Sequence, residues 1–161
     1  MKASFCKATV AAAVTCLTLW GASLAHAGTC SNASLKGKYG QEISGVFLPG
    51  PGVVLNQNGV AMTDFDGKGK FTQVDFVVVD GQPVGTEFEA ETGTYQVNSD
   101  CTGTATINYT NGSEIVLQLV VVDRGRAFRT VVSHLTMGGN AVPANISSSG
   151  TRVDDCDEDR K

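Results

Sequence analysis

Much of the reading follows from what this chain lacks. Beyond its N-terminus no apolar run reaches the roughly 18 residues of a membrane-spanning helix, so no membrane span is expected. Proline is scarce, at 4 of 161 residues, and Trp20 is the lone tryptophan. Positive charge is in deficit. With 12 basic against 16 acidic residues and a net charge of −4, nucleic acid is not an expected partner. The sequence has no Gly-x-Ser-x-Gly elbow and no His-Glu-x-x-His helix, the usual carriers of hydrolase and metalloprotease chemistry. No close cysteine pair exists to begin a zinc site. We therefore expect no metal and no cofactor. Apolar residues nevertheless make up 42% of the chain, enough to build a core and to exclude a disordered protein.

The N-terminus reads as an export signal. Lys2 and Lys7 give a positive start, Val10 to Leu24 is apolar, and Ala25-His26-Ala27 has the small-x-small form of a cleavage site. We assign residues 1–27 to this signal, 28–153 to one domain, and 154–161 to an acidic mobile tail. Cleavage leaves 134 residues, with 10 basic residues against 16 acidic ones and a net charge of −6. His134 becomes the sole histidine. Exported proteins reside in oxidising compartments, where cysteines pair. Cys30, Cys101 and Cys156 remain. Cys30 at the start of the fold and Cys101 in a turn form the expected disulfide. Pairing of Cys156 with Cys101 or with another chain is the alternative. Cys156 lies among Asp154, Asp155, Asp157, Glu158 and Asp159, whose charges disfavour its thiolate.

The body of the chain is rich in valine, threonine and glycine, with short apolar runs and no long amphipathic helix. Turn signals recur at Pro49-Gly50-Pro51-Gly52, Asp66-Gly67, Asp80-Gly81, Asn98 to Gly103, Asn111-Gly112, Arg124-Gly125 and Gly138-Gly139. This is antiparallel all-β patterning. Strands are predicted over 35–47, 53–65, 70–79, 84–97, 103–109, 113–122 and 126–135, with a weaker eighth between 142 and 153. Such a set closes as an up-and-down β-barrel of about eight strands or packs as a β-sandwich. Closure hides the edges of runs as apolar as Phe76-Val77-Val78-Val79, and it favours the barrel. An eight-stranded barrel is filled by side chains or holds one small ligand.

Alternation assigns the faces. Leu35, Tyr39, Ile43 and Phe47 share one side of the first strand, opposite Lys36, Lys38, Glu42 and Ser44. At Asn111-Gly112 a three-residue loop, Thr110 to Gly112, sets Ile107 opposite Ile115 and Ala105 opposite Leu117, keeping apolar residues together. Gly112 is then expected in a left-handed bulge. A two-residue loop at Arg124-Gly125 sets Val121 opposite Phe128 and Leu117 opposite Val132, and turns Thr130 and His134 inward. Over 84–97 the alternation changes phase. Phe88 and Ala90 are apolar at even positions, Tyr95 and Val97 at odd ones. A β-bulge at Thr92-Gly93 would repair it, leaving Glu87, Glu89 and Glu91 as an exposed acidic ridge in preference to a paired-carboxylate catalytic site. Asp64 to Gly69 begins like a calcium loop but lacks the third ligand and the distal glutamate. It reads as a strand-to-strand turn.

Three stretches carry a resemblance. Cys30-Ser31-Asn32-Ala33-Ser34-Leu35-Lys36-Gly37-Lys38-Tyr39-Gly40, Phe65-Asp66-Gly67-Lys68-Gly69, and Gly93-Thr94-Tyr95-Gln96-Val97-Asn98-Ser99-Asp100-Cys101-Thr102-Gly103-Thr104 resemble a family of small exported bacterial proteins of mostly uncharacterised role. In architecture the chain is loosely similar to allene-oxide-cyclase-like and dirigent-like barrels. No active-site motif of either matches, so the resemblance implies no catalytic residues.

The chemistry-bearing residues are few. His134 is the sole available imidazole. With Tyr109, Tyr39 and Thr130 it makes the set of ligand-cavity candidates, for a small hydrophobic ligand. The function expected is binding or structural and non-catalytic. The alternative is an isomerase or cyclase that shapes a hydrophobic substrate largely by positioning it.

Overall fold

Valine, threonine and isoleucine at alternate positions favour pleated backbone, and this chain uses them to build strands that close on themselves. The structure is a computed structural model that describes residues 29–153. The expected export signal, the acidic tail and Cys156 lie outside the described residues. The strands are β1 (Lys36–Gly50), β2 (Val53–Asp66), β3 (Lys70–Val79), β4 (Gln82–Pro83), β5 (Glu89–Val97), β6 (Thr102–Asn108), β7 (Glu114–Val122), β8 (Ala127–Met137), β9 (Asn140–Ala141) and β10 (Ala144–Arg152). Antiparallel pairing runs β1-β2-β3-β5-β6-β7-β8, and β10 pairs with both β8 and β1. The result is a closed eight-stranded barrel, with β4 and β9 as short additions on β3 and β8. The weak eighth strand of the sequence is the one that shuts it, and the sandwich is excluded.

The turn chemistry sets the registers as the apolar pattern requires. Ile107 opposes Ile115 and Ala105 opposes Leu117. Gly112 closes that loop at φ +81°, a conformation an L side chain resists. Across β7 and β8, Val121 opposes Phe128 and Leu117 opposes Val132. Asp66 governs the turn between β2 and β3. One of its carboxylate oxygens accepts the N–H groups of Lys68, Gly69 and Lys70 at 2.6, 2.9 and 3.0 Å.

Two expectations of face are overturned. The first is the bulge at Thr92-Gly93. β5 pairs with β3 and β6 without any shift of register. Its odd positions, Glu91, Gly93, Tyr95 and Val97, all face inward, and Phe88 and Ala90 lie outside. The glycine is there for space: a Cβ on Gly93 would sit 2.1 Å from the Phe71 ring and 2.3 Å from the Thr106 carbonyl oxygen. The acidic ridge therefore splits. Glu87 and Glu89 stay exposed, while Glu91 is only 5% exposed. The second is the inward orientation of His134. Val116 opposes His134 while Leu117 opposes Val132, so Ser133 is an extra residue in β8. That bulge reverses the face beyond it. Leu135 takes the buried position and His134 is exposed.

One end of the barrel is plugged. Phe65 is the hub, with ring centroids 5.4 Å from Tyr39, 5.4 Å from Phe71, 4.9 Å from Tyr95 and 5.6 Å from Phe128. Leu35 closes over this cluster, completely buried. The Tyr39 hydroxyl donates to the Gly125 carbonyl, and the Tyr95 hydroxyl lies 2.8 Å from the Leu35 carbonyl. The Cys30–Cys101 disulfide packs against the same cluster, with its Cα atoms 5.0 Å apart.

Two measurements check this account. Gly93→Ala overpacks the plug and is expected to lower unfolding stability by roughly 1–3 kcal/mol in urea titrations. Replacing both Cys30 and Cys101 by alanine opens a crosslink spanning 71 residues, with an expected loss of about 4 kcal/mol on the chain-entropy treatment.

Candidate functional site

The layer next to the plug is polar. Gln41 on β1, Thr63 on β2, Gln73 on β3, Glu91 on β5 and Thr130 on β8 are all buried, and Ser148 on β10 is half-buried. Buried polar groups are costly unless they bond to one another, and these form a chain. The Thr130 and Ser148 hydroxyls are 2.7 Å apart, and Ser148 donates to Gln41 Oε1 at 3.1 Å. Gln41 Nε2 donates to Thr63 Oγ1 and, at 3.2 Å, to Gln73 Oε1. Thr63 Oγ1 donates to Gln73 Oε1 at 2.7 Å, and Gln73 Nε2 donates to Glu91 Oε2 at 3.0 Å.

The chain ends at an acid pair. Asp75 is 6% exposed and lies on the same face of β3 as Gln73. Gln73 opposes Glu91 across the strands, and Asp75 opposes Glu89. Asp75 and Glu91 are thus diagonal neighbours on one face, within side-chain reach. Burial first, and then the charge of Glu89, push the Asp75 carboxyl up to about 6. Burial first, and then the charge of Asp75, push Glu91 up to about 7. Glu91 Oε1 meets no N–H or O–H donor. A proton on Glu91, donated to Asp75, satisfies both groups. Both carboxyls are held above the ordinary carboxylate range, and as near neighbours they titrate as a pair.

Beyond the pair the barrel is open. An inner chamber of about 40 Å³ adjoins an outer one of about 170 Å³. Gln57, Asp75, Tyr109 and Ile115 line both and form a collar between them. The outer chamber is otherwise mostly apolar, with Phe47, Phe76, Val77, Val79 and Leu135 in its wall. Gln57 is 7% exposed, and its Oε1 has no hydrogen-bond partner. Burial and the facing carboxylates Glu91, Asp75 and Glu89 hold the Tyr109 phenol far above its ordinary range, so it stays neutral.

The candidates named from the sequence separate. Tyr109 stands in the collar, and Thr130 lines the inner chamber. Tyr39 belongs to the plug at the far end, and His134 lies on the outer surface. Gln57, Asp75 and Glu91 were missed. Their signal was the parity of their positions. Asp75 is in phase with Phe71 and Gln73, and Glu91 is in phase with Tyr95 and Val97.

Among the described residues no cluster of histidine, cysteine and carboxylate side chains could hold a metal. No helix there is long and apolar enough to cross a membrane. No protein-family model and no curated protein matches the chain. A solved structure, that of an S-type phycobiliprotein lyase from Guillardia theta, is similar with a TM-score of 0.49 at 9% sequence identity, over 76% of this chain and 90% of that chain. The likeness is too slight to bear on function.

The raised carboxyls make stability depend on pH. A folded state that binds more protons than the unfolded chain loses stability as pH rises. The loss begins near the unfolded carboxylate range of about 4 and ends above about 7, where Glu91 has ionised. The urea midpoint is expected to fall between pH 5 and pH 8. Glu91→Gln should flatten that fall; an unchanged slope would remove the pair as its source.

Proposed function

We propose that this protein is an exported barrel that binds a small, largely apolar molecule through its open end. One observation carries the reading. The barrel is sealed at one end, while the other keeps an apolar chamber with convergent polar groups at its base, the usual makeup of a ligand site. Size narrows the occupant. An apolar cavity of about 150 Å³ takes up benzene, and typical ligand pockets start near 300 Å³. A chamber of about 170 Å³ fits one ring or a short aliphatic chain. Phe47, Phe76, Val79 and Leu135 suit its apolar body, and the collar orients it. The Cys30–Cys101 pair supports an oxidising compartment, in keeping with the export signal read at residues 1–27.

A second reading, an isomerase acting on a small hydrophobic substrate, is favoured by Asp75. This carboxylate faces the chamber with its proton affinity near neutrality, the range suited to taking and returning a proton. That role falls to the acid pair, since His134 lies outside.

Native mass spectrometry of the secreted or periplasmic protein is expected to show a retained adduct about one ring in size. Ser113→Trp, placed at the mouth, should weaken its retention at least ten-fold without changing the circular dichroism. An empty protein that also takes up no ring-sized probe would refute the binding reading. If the eluted molecule returns unchanged after incubation with fresh protein, the isomerase reading falls and binding stands.

A further inference from the structure

The collar has a definite hydrogen-bonding character. Gln57 Oε1 is a buried acceptor with no partner, carried by a side chain more than nine-tenths buried. The Asp75 carboxylate lines both chambers too, four residues along β3 from Val79, which opposes Gln57. No lysine, arginine or histidine lines either chamber, while Glu87 and Glu89 stand at the outer one. An anionic ligand would meet like charge, and a ligand without donors would leave Gln57 Oε1 unsatisfied.

We propose that the occupant is a small apolar amine, its ammonium donating to the Asp75 carboxylate and to Gln57 Oε1 while its ring or chain fills the apolar chamber. The proposal rests on the binding reading above and adds the chemical class of the ligand. Tyr109, half-buried, lines the same collar. The Gln73–Glu91 hydrogen bond backs the site, so that Asp75 is held by a neighbour that itself belongs to the buried chain.

Binding is linked to protons. The titratable groups around Asp75 are Glu89 and Glu91 from β5, Glu87 just before that strand, and Tyr109 from the β6–β7 loop. The surrounding strands present Phe47, Gln57, Ile115 and Leu135, none of which titrates. An ammonium requires Asp75 ionised. Where the pair is doubly protonated, below about pH 6, the ligand must expel the Asp75 proton to solvent. The amine keeps its own proton, so one proton is released per amine bound. Affinity should then fall by up to ten-fold for each pH unit below that point.

Benzylamine, benzyl alcohol and benzoate differ only at the head group, and they form the test by isothermal titration calorimetry. At pH 7.5 benzylamine is expected to bind at least ten-fold tighter than benzyl alcohol, with benzoate the weakest. Between pH 7.5 and 5 the benzylamine affinity should drop by up to about ten-fold, and heats in two buffers at pH 5 should report the released proton. Asp75→Asn should remove the preference for the amine and leave benzyl alcohol binding in place. Should that variant fail to fold, Gln57→Leu provides the second arm, expected to weaken benzylamine selectively. Equal binding of amine and alcohol, or a benzylamine affinity independent of pH, would overturn the amine assignment and leave the binding reading intact. Binding of none of the three would overturn both.

Discussion

The interior of this protein depends on a single backbone constraint, the double pairing of β10 with β8 and β1. Without it the wall is an open sheet, and Gln41, Thr63, Gln73 and Thr130 would face solvent instead of each other. The chain pays for that closure in side chains. Gly45 lets β1 lie against β10, since a Cβ there would sit 2.2 Å from the Asn145 carbonyl oxygen. Gly150 leaves room for the Phe128 ring, which a Cβ would meet at 2.3 Å. A polar layer in a barrel is tolerable only once the wall is continuous, because only then are its members one another's nearest partners.

Along the barrel axis the chemistry is graded. The plug is aromatic and closely packed around Phe65. The next layer is a hydrogen-bonded chain from Thr130 round to Glu91. Beyond it come the acid pair, the collar and an apolar chamber. The hydrogen-bonded layer separates the packed end from the cavity, and it anchors Asp75 through Gln73 and Glu91.

Most strand positions, the turn types and the Cys30–Cys101 pair were legible because each rests on local rules: alternation, turn residues and loop register; the strand expected over 84–97 instead begins at Glu89, with 84–88 outside any strand. Even the choice between two loop lengths at Asn111-Gly112 followed from keeping Ile107 beside Ile115. The site was harder to read for two local reasons. Gly93 reads as a bulge when its purpose is to admit the Phe71 ring from another strand, and that contact is invisible in a one-dimensional pattern. The bulge at Ser133 has the opposite character, because nothing in its composition marks it, and it turned His134 outward. Each one-residue error of phase exchanges the two faces of a strand. The first hid Glu91, and the second promoted a histidine that lies on the surface. Gln57 and Asp75 do fall in phase with buried neighbours on their strands, but a polar residue at such a position owes its burial to the closed wall, which the pattern of one strand does not display.

The placement of the disulfide has a wider consequence. Cys30 and Cys101 tie the plugged end, remote from Gln57, Asp75 and Tyr109. The crosslink and the carboxyl-lined opening therefore sit at opposite poles of the molecule. Substitutions that reshape the opening leave the crosslinked pole, with its aromatic packing around Phe65, in place.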